Sequence, residues 1–172
     1  YSYICRYILY NCINMEELFQ LSEDSKYLIK VLDKNIKEFA IPNSVVKIGQ
    51  YAFCGCKSLE SIALPDSVQS MGVDLFKRCT SLKEVTLPQG ITTIKSGMFA
   101  SCSSLSSFIF PDTLRHIEGN AFAGTALEEI TLHEGLLSID SAFQYCKKLT
   151  SIKMPDSLTT VGKDCFKNCL ML

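Results

Sequence analysis

The chain contains 172 residues, of which 47% are hydrophobic and 20% are charged. This composition supplies a sizeable core and excludes intrinsic disorder. The 17 Lys and Arg residues nearly balance the 18 Asp and Glu residues, giving a net charge of -1, so the chain lacks the basic field that would attract nucleic acid or an anionic membrane. The charge balance therefore predicts no nucleic-acid binding. No apolar run is long enough to span a bilayer, so we expect no membrane insertion.

The first element in chain order is a degenerate repeat at residues 1–20. Its apolar residues have the spacing of the later repeats and are Ile4, Leu9, Cys12, Met15 and Leu18. The chain opens without an initiator Met or the charged and apolar regions of a signal peptide, and its last repeat is incomplete. We therefore expect the array to extend beyond this sequence at both ends.

Residues 21–41 interrupt the repeat, and we predict that they form an inserted β-hairpin. The stretch Tyr27–Leu32 is rich in β-forming residues, and Asp33–Asn35 separates it from a second candidate strand at Ile36–Ile41. Ser22–Ser25 is a candidate turn ahead of the first strand. Two short β-rich runs separated by polar turn residues are typical of a hairpin.

From residue 42 onward the sequence repeats every 22 or 23 residues. Each unit has an apolar residue followed by Pro, then an apolar pair, a Phe, a Cys three residues later, a Leu and an apolar strand. The Phe column contains Phe53, Phe76, Phe99, Phe122, Phe143 and Phe166. Thr125 replaces one Cys and His133 replaces one Pro. The units cover residues 42–64, 65–87, 88–110, 111–132, 133–154 and, incompletely, 155–172.

This unit predicts a mainly β solenoid. Apolar residues two apart, such as Ile62 and Leu64, indicate a strand with alternate side chains in the core. The apolar pair after each Pro, such as Val45 and Ile48, predicts a second, shorter strand on the opposite wall. Helix should be limited to single turns near residues 50–53. Because one unit cannot bury its apolar side alone, the copies should stack as parallel strands in a single domain over residues 1–172.

The unit resembles the BspA-type, or type 5, leucine-rich repeat in its L-x-x-I-x-L-P strand and its I-x(4)-F-x-x-C corner. The resemblance is strong over residues 42–172 and weak over residues 1–20. It implies a leucine-rich-repeat solenoid, and it implies a role in recognition, because family members are often modular proteins of bacterial and protist cell surfaces, several of them associated with adhesion.

The nine cysteines are interpreted mainly as core residues. Six share one column, namely Cys12, Cys56, Cys79, Cys102, Cys146 and Cys169. A small, weakly polar side chain suits a buried corner, and Thr has similar bulk at position 125. Stacked neighbours point their Cβ atoms in the same direction, which disfavours disulfides. Cys5, Cys54 and Cys165 lie outside the column and are expected to be more exposed.

We expect no enzymatic activity, metal site or cofactor. The two histidines are candidate bases, but His116 should be solvated beside Thr93 and Ser138, and His133 lies in a turn. The sequence has no glycine-rich phosphate motif, and Cys54-x-Cys56 lacks the second ligand pair of a structural zinc site. Consecutive carboxylates such as Glu128 and Glu129 should point to opposite sides of a strand.

The outward face of the regular strands is the candidate binding surface, because solenoids present variable residues on a repeated core. Its mildly acidic character and one apolar residue, Ile109, distinguish it. The candidate partner-binding residues are Lys83, Glu84, Thr86, Ile109, Glu129, Thr131 and Lys153.

We therefore predict a non-enzymatic module for protein recognition or adhesion, located on the cell surface or secreted, with a protein partner. Two alternatives stay open. The chain could be a structural spacer without a ligand, or a cytoplasmic interaction scaffold, which its free thiols would suit.

Overall fold

The computed structural model describes residues 18–172, which form a solenoid of stacked turns with parallel strands. Twelve short strands are present in these residues. They are β1 Phe19–Leu21, β2 Tyr27–Val31, β3 Lys47–Ile48, β4 Ser61–Ala63, β5 Ser70–Met71, β6 Glu84–Thr86, β7 Thr93–Ile94, β8 His116–Ile117, β9 Glu129–Thr131, β10 Ser138–Ile139, β11 Ser151–Lys153 and β12 Thr160–Val161. The predicted fold class is confirmed.

One side of the solenoid, the long-strand wall, contains the three-residue strands β4, β6, β9 and β11. β4 pairs in parallel with β6, and β9 with β11. The central residue of β4, Ile62, is buried, as are Leu59 and Leu64, while Glu60 and Ala63 are exposed. The predicted alternation of core and solvent side chains is therefore confirmed.

The predicted strand is absent at one position of this wall, residues 106–110. The apolar positions of that turn hold Phe108 and Phe110, whereas the turns on either side hold smaller aliphatic residues there. The rings of Phe108 and Phe110 pack against Phe122, with centroid distances of 4.9 and 5.5 Å. We attribute the loss of strand pairing to these bulky rings, which exceed the space that a regular ladder leaves between turns.

The opposite side, the short-strand wall, is built from the two-residue strands β3, β5, β7, β8, β10 and β12. These strands pair in parallel, with β2 on β3 and β3 on β5 in one sheet, and β7, β8, β10 and β12 in another. Each strand begins after a turn that is closed by a hydrogen bond from the fourth residue to Pro, as from the Val45 N–H to the Pro42 carbonyl at 3.0 Å. His133 accepts the same bond from Leu136, so His replaces Pro without loss of the turn.

The third side, the phenylalanine wall, is made of the segments around the Phe column. The expected helical turns near residues 50–53 are instead isolated turns with bonds such as Cys56 N–H to Phe53 O, at 3.1 Å. The residues two before and two after each Phe have positive φ, as at Asp74 (52°) and Arg78 (62°) around Phe76. These left-handed residues break the run of right-handed φ angles that a helix requires.

The core is one continuous cluster that includes a ladder of aromatic rings. Phe53, Phe76, Phe99, Phe122 and Phe143 are fully buried. Neighbouring rings of the column lie 5.2 to 5.8 Å apart, and Phe39 and Phe19 extend the ladder beyond Phe53. Each buried ring contributes about 1.5–3 kcal/mol of transfer free energy, so this ladder is a principal source of stability.

The inserted hairpin exists, but its predicted strand pairing is wrong. β2 matches the first predicted strand, yet its antiparallel partner is β1, and Ser22–Lys26 forms the connecting turn. The predicted second strand, residues 36–41, belongs to the long-strand wall, where Glu38 bridges Ser61 in parallel. The reason is burial: Ile36 and Ile41 enter the core at the spacing of the repeat, and an isolated hairpin arm would leave them in water.

Residues 27–41 therefore form a shortened turn of the solenoid. Ile36 and Ile41 precede Leu59 and Leu64 by 23 residues, whereas Leu28 precedes its partner Ile48 by only 20. This turn is three residues shorter and has neither the Phe nor the Cys of those columns. The N–H of the buried Val31 donates to the Ala52 carbonyl at 2.8 Å, as the Phe53 N–H donates to the Leu75 carbonyl in the next turn. The degenerate repeat predicted at residues 1–20 lies outside the described residues except at its end, where the antiparallel β1 departs from the parallel array.

Candidate functional site

The seven candidate residues lie on the outward face of the long-strand wall, and all are exposed. Glu84 and Thr86 are the outer residues of β6, and Glu129 and Thr131 are those of β9. Thr131 is in register with Lys153 of β11. The face is flat and repetitive because each strand contributes the same outward positions.

Charge on this face is unevenly compensated. Lys83 Nζ lies 3.0 Å from Glu60 Oε2 on the neighbouring turn. The hydrogen bond and the positive charge of Lys83 lower the pKa of Glu60 below its usual value. Among residues 18–172, neither Glu84 nor Glu129 forms an ion pair. Because Lys83 is paired with Glu60, the carboxylates of Glu84 and Glu129 give the centre of the face a local negative charge.

Ile109 is the most exposed large apolar residue of the described chain, with 89% of its surface accessible. It follows Phe108 and precedes the buried Phe110. The rings on either side point inward, and the alternation along the chain therefore directs Ile109 outward. Ile109 therefore occupies the column of Thr86 and Thr131, one turn away on either side, and Glu84 and Glu129 lie two residues earlier along their own strands.

A cavity of about 820 Å³ adjoins this face at the amino-terminal end. Its lining includes the apolar residues Ile36, Phe39 and Ile62 and reaches Glu84 and Thr86 of β6. The sequence interpretation missed this feature because it assigned residues 36–41 to a hairpin. The signal that identifies them is their 23-residue offset from Leu59, Ile62 and Leu64.

The comparison with protein families decides the identity of this repeat. The family model for the BspA type leucine-rich repeat region, which represents 6 copies, matches residues 32–142 and 139–172. The chain belongs to the BspA-type leucine-rich repeat family. The resemblance inferred from the sequence is thereby confirmed.

Solved leucine-rich repeat proteins have the same fold. A leucine-rich repeat protein of Bacteroides ovatus is 29% identical over 90% of this chain and 44% of that chain, with a TM-score of 0.77. The T. pallidum leucine-rich repeat protein is 26% identical over 90% of this chain and 88% of its own, with a TM-score of 0.70. A leucine-rich cell surface protein of Faecalibacterium prausnitzii is 32% identical over 80% of this chain and 37% of that chain, with a TM-score of 0.72.

The chain thus spans less than half the length of the Bacteroides ovatus protein. A search of curated proteins finds no match. These comparisons show the leucine-rich repeat fold, which generally serves protein interaction, and they do not specify a ligand.

In this leucine-rich repeat array the column cysteines act as hydrogen-bond donors within the core. The thiols of Cys79, Cys102 and Cys146 donate to the carbonyl of the Phe one turn earlier, at 3.1, 3.2 and 3.2 Å. Burial raises the pKa of Cys102 to about 12 and that of Cys146 to about 11. A thiol with a raised pKa is a poor nucleophile at neutral pH, so these side chains are structural.

Two cysteine positions depart from this pattern. Cys56 has no preceding Phe segment, because the shortened turn lacks one, and its sulfur lies 3.8 Å from Lys34 Nζ. Cys165 was expected to be more exposed, but it is buried, and burial raises its pKa. The expectation failed because Cys165 follows the turn at Gly162 and occupies the inward position held in other turns by Leu75 or Ala142. Cys54 is half-buried, and Cys5 lies outside the described residues.

The remaining polar residues form no enclosed reactive site in the described part of the chain. His116 lies between Thr93 and Ser138 as predicted, and its Nδ1 is 2.8 Å from Ser138 Oγ. This pair is exposed on the short-strand wall, without the pocket that nucleophilic catalysis needs. Residues 18–172 contain no cluster of three metal-ligating side chains, and no helix there is long and apolar enough to cross a bilayer.

Proposed function

We propose that this chain is a protein-recognition module that binds its partner through the outward face of the long-strand wall. One observation supports this most directly: Ile109 is 89% exposed in the column of Thr86 and Thr131, and the neighbouring turns carry the carboxylates of Glu84 and Glu129, which form no ion pair among residues 18–172. A large exposed apolar side chain has no stabilising role in the free protein, whereas burying it against a partner contributes about 1.5–3 kcal/mol.

The chemistry of the face favours a basic partner segment. Glu84 and Glu129 occupy the same position of the repeat, two turns apart. A partner with an apolar side chain between two Lys or Arg residues would bury Ile109 and pair both carboxylates. Threonines 86 and 131 supply hydroxyl groups beside Ile109, as in the polar rim of many protein interfaces.

Peptide selection on the intact chain tests this proposal. Random peptides displayed on phage are selected on the immobilised protein, and enriched peptides are synthesised for fluorescence anisotropy. We expect enrichment of sequences with basic residues around an apolar residue. Ile109→Lys and the double change Glu84→Lys with Glu129→Lys should each weaken binding by at least about tenfold, as for a central contact of an interface.

Matched control variants place the same charge changes outside the long-strand wall and so distinguish loss of a contact on that wall from a nonspecific effect of charge. Leu137 is 39% exposed on the short-strand wall, so Leu137→Lys introduces the same charge elsewhere and should leave affinity unchanged. Glu23→Lys, in the turn between β1 and β2, is the control for the charge reversals. Equal affinities for Ile109→Lys and Leu137→Lys would rule out binding through this face. The absence of any selected peptide would favour a structural spacer.

We also propose a cell-surface location. The support is the similarity to the Faecalibacterium prausnitzii protein described as a leucine-rich cell surface protein. Antibody labelling of intact cells that express the parent gene should detect the array, and labelling only after permeabilisation would favour the cytoplasmic alternative.

A further inference from the structure

The short-strand wall is interrupted between two stacked turns, residues 65–87 and residues 88–110. Elsewhere two N–H groups per turn donate to the preceding turn, as from Gln69 to Val46 and from Arg115 to Thr92, at 2.9 and 2.8 Å. The equivalent donors of turn 88–110 are Thr92 and Lys95, and neither N–H bonds the preceding turn. β5 and β7 consequently belong to different sheets.

The long-strand wall is interrupted at the same boundary. The Lys83 N–H donates to the Glu60 carbonyl, and the Thr150 N–H donates to the Glu128 carbonyl, both at 2.9 Å. The Ser106 N–H, at the equivalent position, makes no backbone bond to Lys83. Two of the three walls thus lose their backbone ladders between the same two turns. We call this boundary the seam.

The phenylalanine wall continues across the seam without change. The N–H groups of Asp74, Phe76 and Arg78 donate to the carbonyls of Ser96, Met98 and Ala100 at 2.9, 2.8 and 2.8 Å. The Cys102 thiol adds a bond to the Phe76 carbonyl. The other polar links across the seam run from Gln89 N–H to the Asp66 carboxylate and from Ser103 Oγ to the Thr80 carbonyl.

The aromatic side chains nearest the seam pack mainly against the turns that follow it. Phe108 packs against Phe99, Phe110 and Phe122, with centroid distances of 5.2, 4.9 and 4.9 Å. All four rings belong to turns that follow the seam. The one aromatic pair that crosses it, Phe76 with Phe99, is 5.6 Å apart. The rings therefore strengthen the next boundary, whereas aromatic packing across the seam is limited to Phe76 with Phe99 among the described residues.

We infer that the seam is a hinge at which the solenoid opens along two walls while the phenylalanine wall stays closed. In a stacked-repeat protein, stability is a sum of repeat terms and nearest-neighbour interface terms, so the array separates first at its weakest interface. Residues 18–87 and 88–172 then behave as two cooperative units.

The hinge would adjust the candidate recognition face. Ile109 lies directly after the seam and Glu84 directly before it, so opening changes the distance between these two side chains. This consequence rests on the proposed function. The hinge itself is a property of the free chain, and an experiment without ligand tests it independently.

Native-state hydrogen exchange by NMR, on the intact chain with increasing urea, measures the opening directly. Fraying from the ends would make protection rise toward the middle of the array, whereas a hinge produces a minimum there. Amides of Thr92, Lys95 and Ser106 should exchange at least about tenfold faster than those of Arg115, Glu118 and Thr150. The bonded amides of Asp74, Phe76 and Arg78 should stay protected.

As urea is added, the protected amides before and after residue 87 should form two groups. The groups should differ in opening free energy and in the slope of that free energy against urea concentration. One shared group across the seam would overturn the inference, even if Thr92 and Lys95 exchange rapidly. In the variant Phe108→Ile with Phe110→Leu, which restores the residue types of neighbouring turns, the two groups should merge. Val85→Ile, in the same column before the seam, is the control and should leave them separate.

Discussion

The phenylalanine wall and the long-strand wall are built by the same repeat, yet they connect the turns differently. Three backbone bonds link the phenylalanine wall at the boundaries after residues 64, 87, 110 and 132. Within residues 18–172, strand pairing on the long-strand wall joins only β4 with β6 and β9 with β11. The Phe column keeps one side-chain size, so its spacing stays regular. The inward strand position of the long-strand wall holds side chains as different in size as Val85 and Phe108, so the distance between turns varies on that wall.

The comparison teaches that the scaffold and the surface are separable within one repeat. Inward columns tolerate little change in volume, because interiors are close-packed. Outward positions vary freely, and at Ile109 one of them carries an apolar side chain. Substitutions in the two regions should therefore differ in the free energy of unfolding by an order of magnitude.

The largest effect is expected at the centre of the aromatic ladder. Phe122 is fully buried and contacts the rings of Phe99, Phe108, Phe110 and Phe143. Phe122→Ala removes these contacts and leaves a cavity, which should lower the free energy of unfolding by about 3–5 kcal/mol in urea denaturation. Phe166→Ala, at the half-buried end of the column, should have a smaller effect. Equal losses at the two positions would contradict a continuous ladder.

An intermediate effect concerns the pH dependence of stability. Burial raises the pKa of Cys102 from 9.0 to about 12. The unfolded chain therefore releases this proton at lower pH than the folded chain, so the contribution is complete below pH 9 and is lost between about pH 9 and 12. At pH 10 the loss is about 1 kcal/mol for this thiol.

The variant Cys102→Thr uses the residue found in this column at position 125 and has no thiol to titrate. The difference in unfolding free energy between the two proteins should therefore shrink by about 1 kcal/mol from pH 8 to pH 10. Lys and Tyr residues titrate equally in both and cancel. Parallel pH profiles would show that Cys102 is not protected from ionisation by the fold.

The smallest effect is expected on the outward face. Ile109→Thr introduces the residue present at positions 86 and 131 of the same column, and the 89% exposed side chain leaves no cavity. The free energy of unfolding should change by less than about 0.5 kcal/mol. Thermal or urea unfolding measures this, with Phe110→Ala as the buried neighbour for comparison. A loss above 1 kcal/mol would mean that Ile109 packs within the protein.

Most of the architecture could be predicted because the same short pattern recurs every 22 or 23 residues. The Phe, Cys and Leu columns, the outward positions of the strands and the place of His133 in its turn all follow from the period. Errors arose where a repeated column was not extended to every turn. Residues 36–41 were assigned to a hairpin because β-propensity alone does not choose between two partners. Cys165 was misplaced because its inward direction depends on the turn at Gly162.

The sequence by itself determined the solenoid, its period and the residues that face the core, because those depend on side-chain polarity at fixed spacing. Only the tertiary structure decided that β1 pairs with β2, that left-handed residues join the turns at the phenylalanine wall, and that both β walls part at the seam. The last of these features depends on the distance between turns. That distance is set by how the volumes of Phe108 and Phe110 fill the core, which no local pattern records.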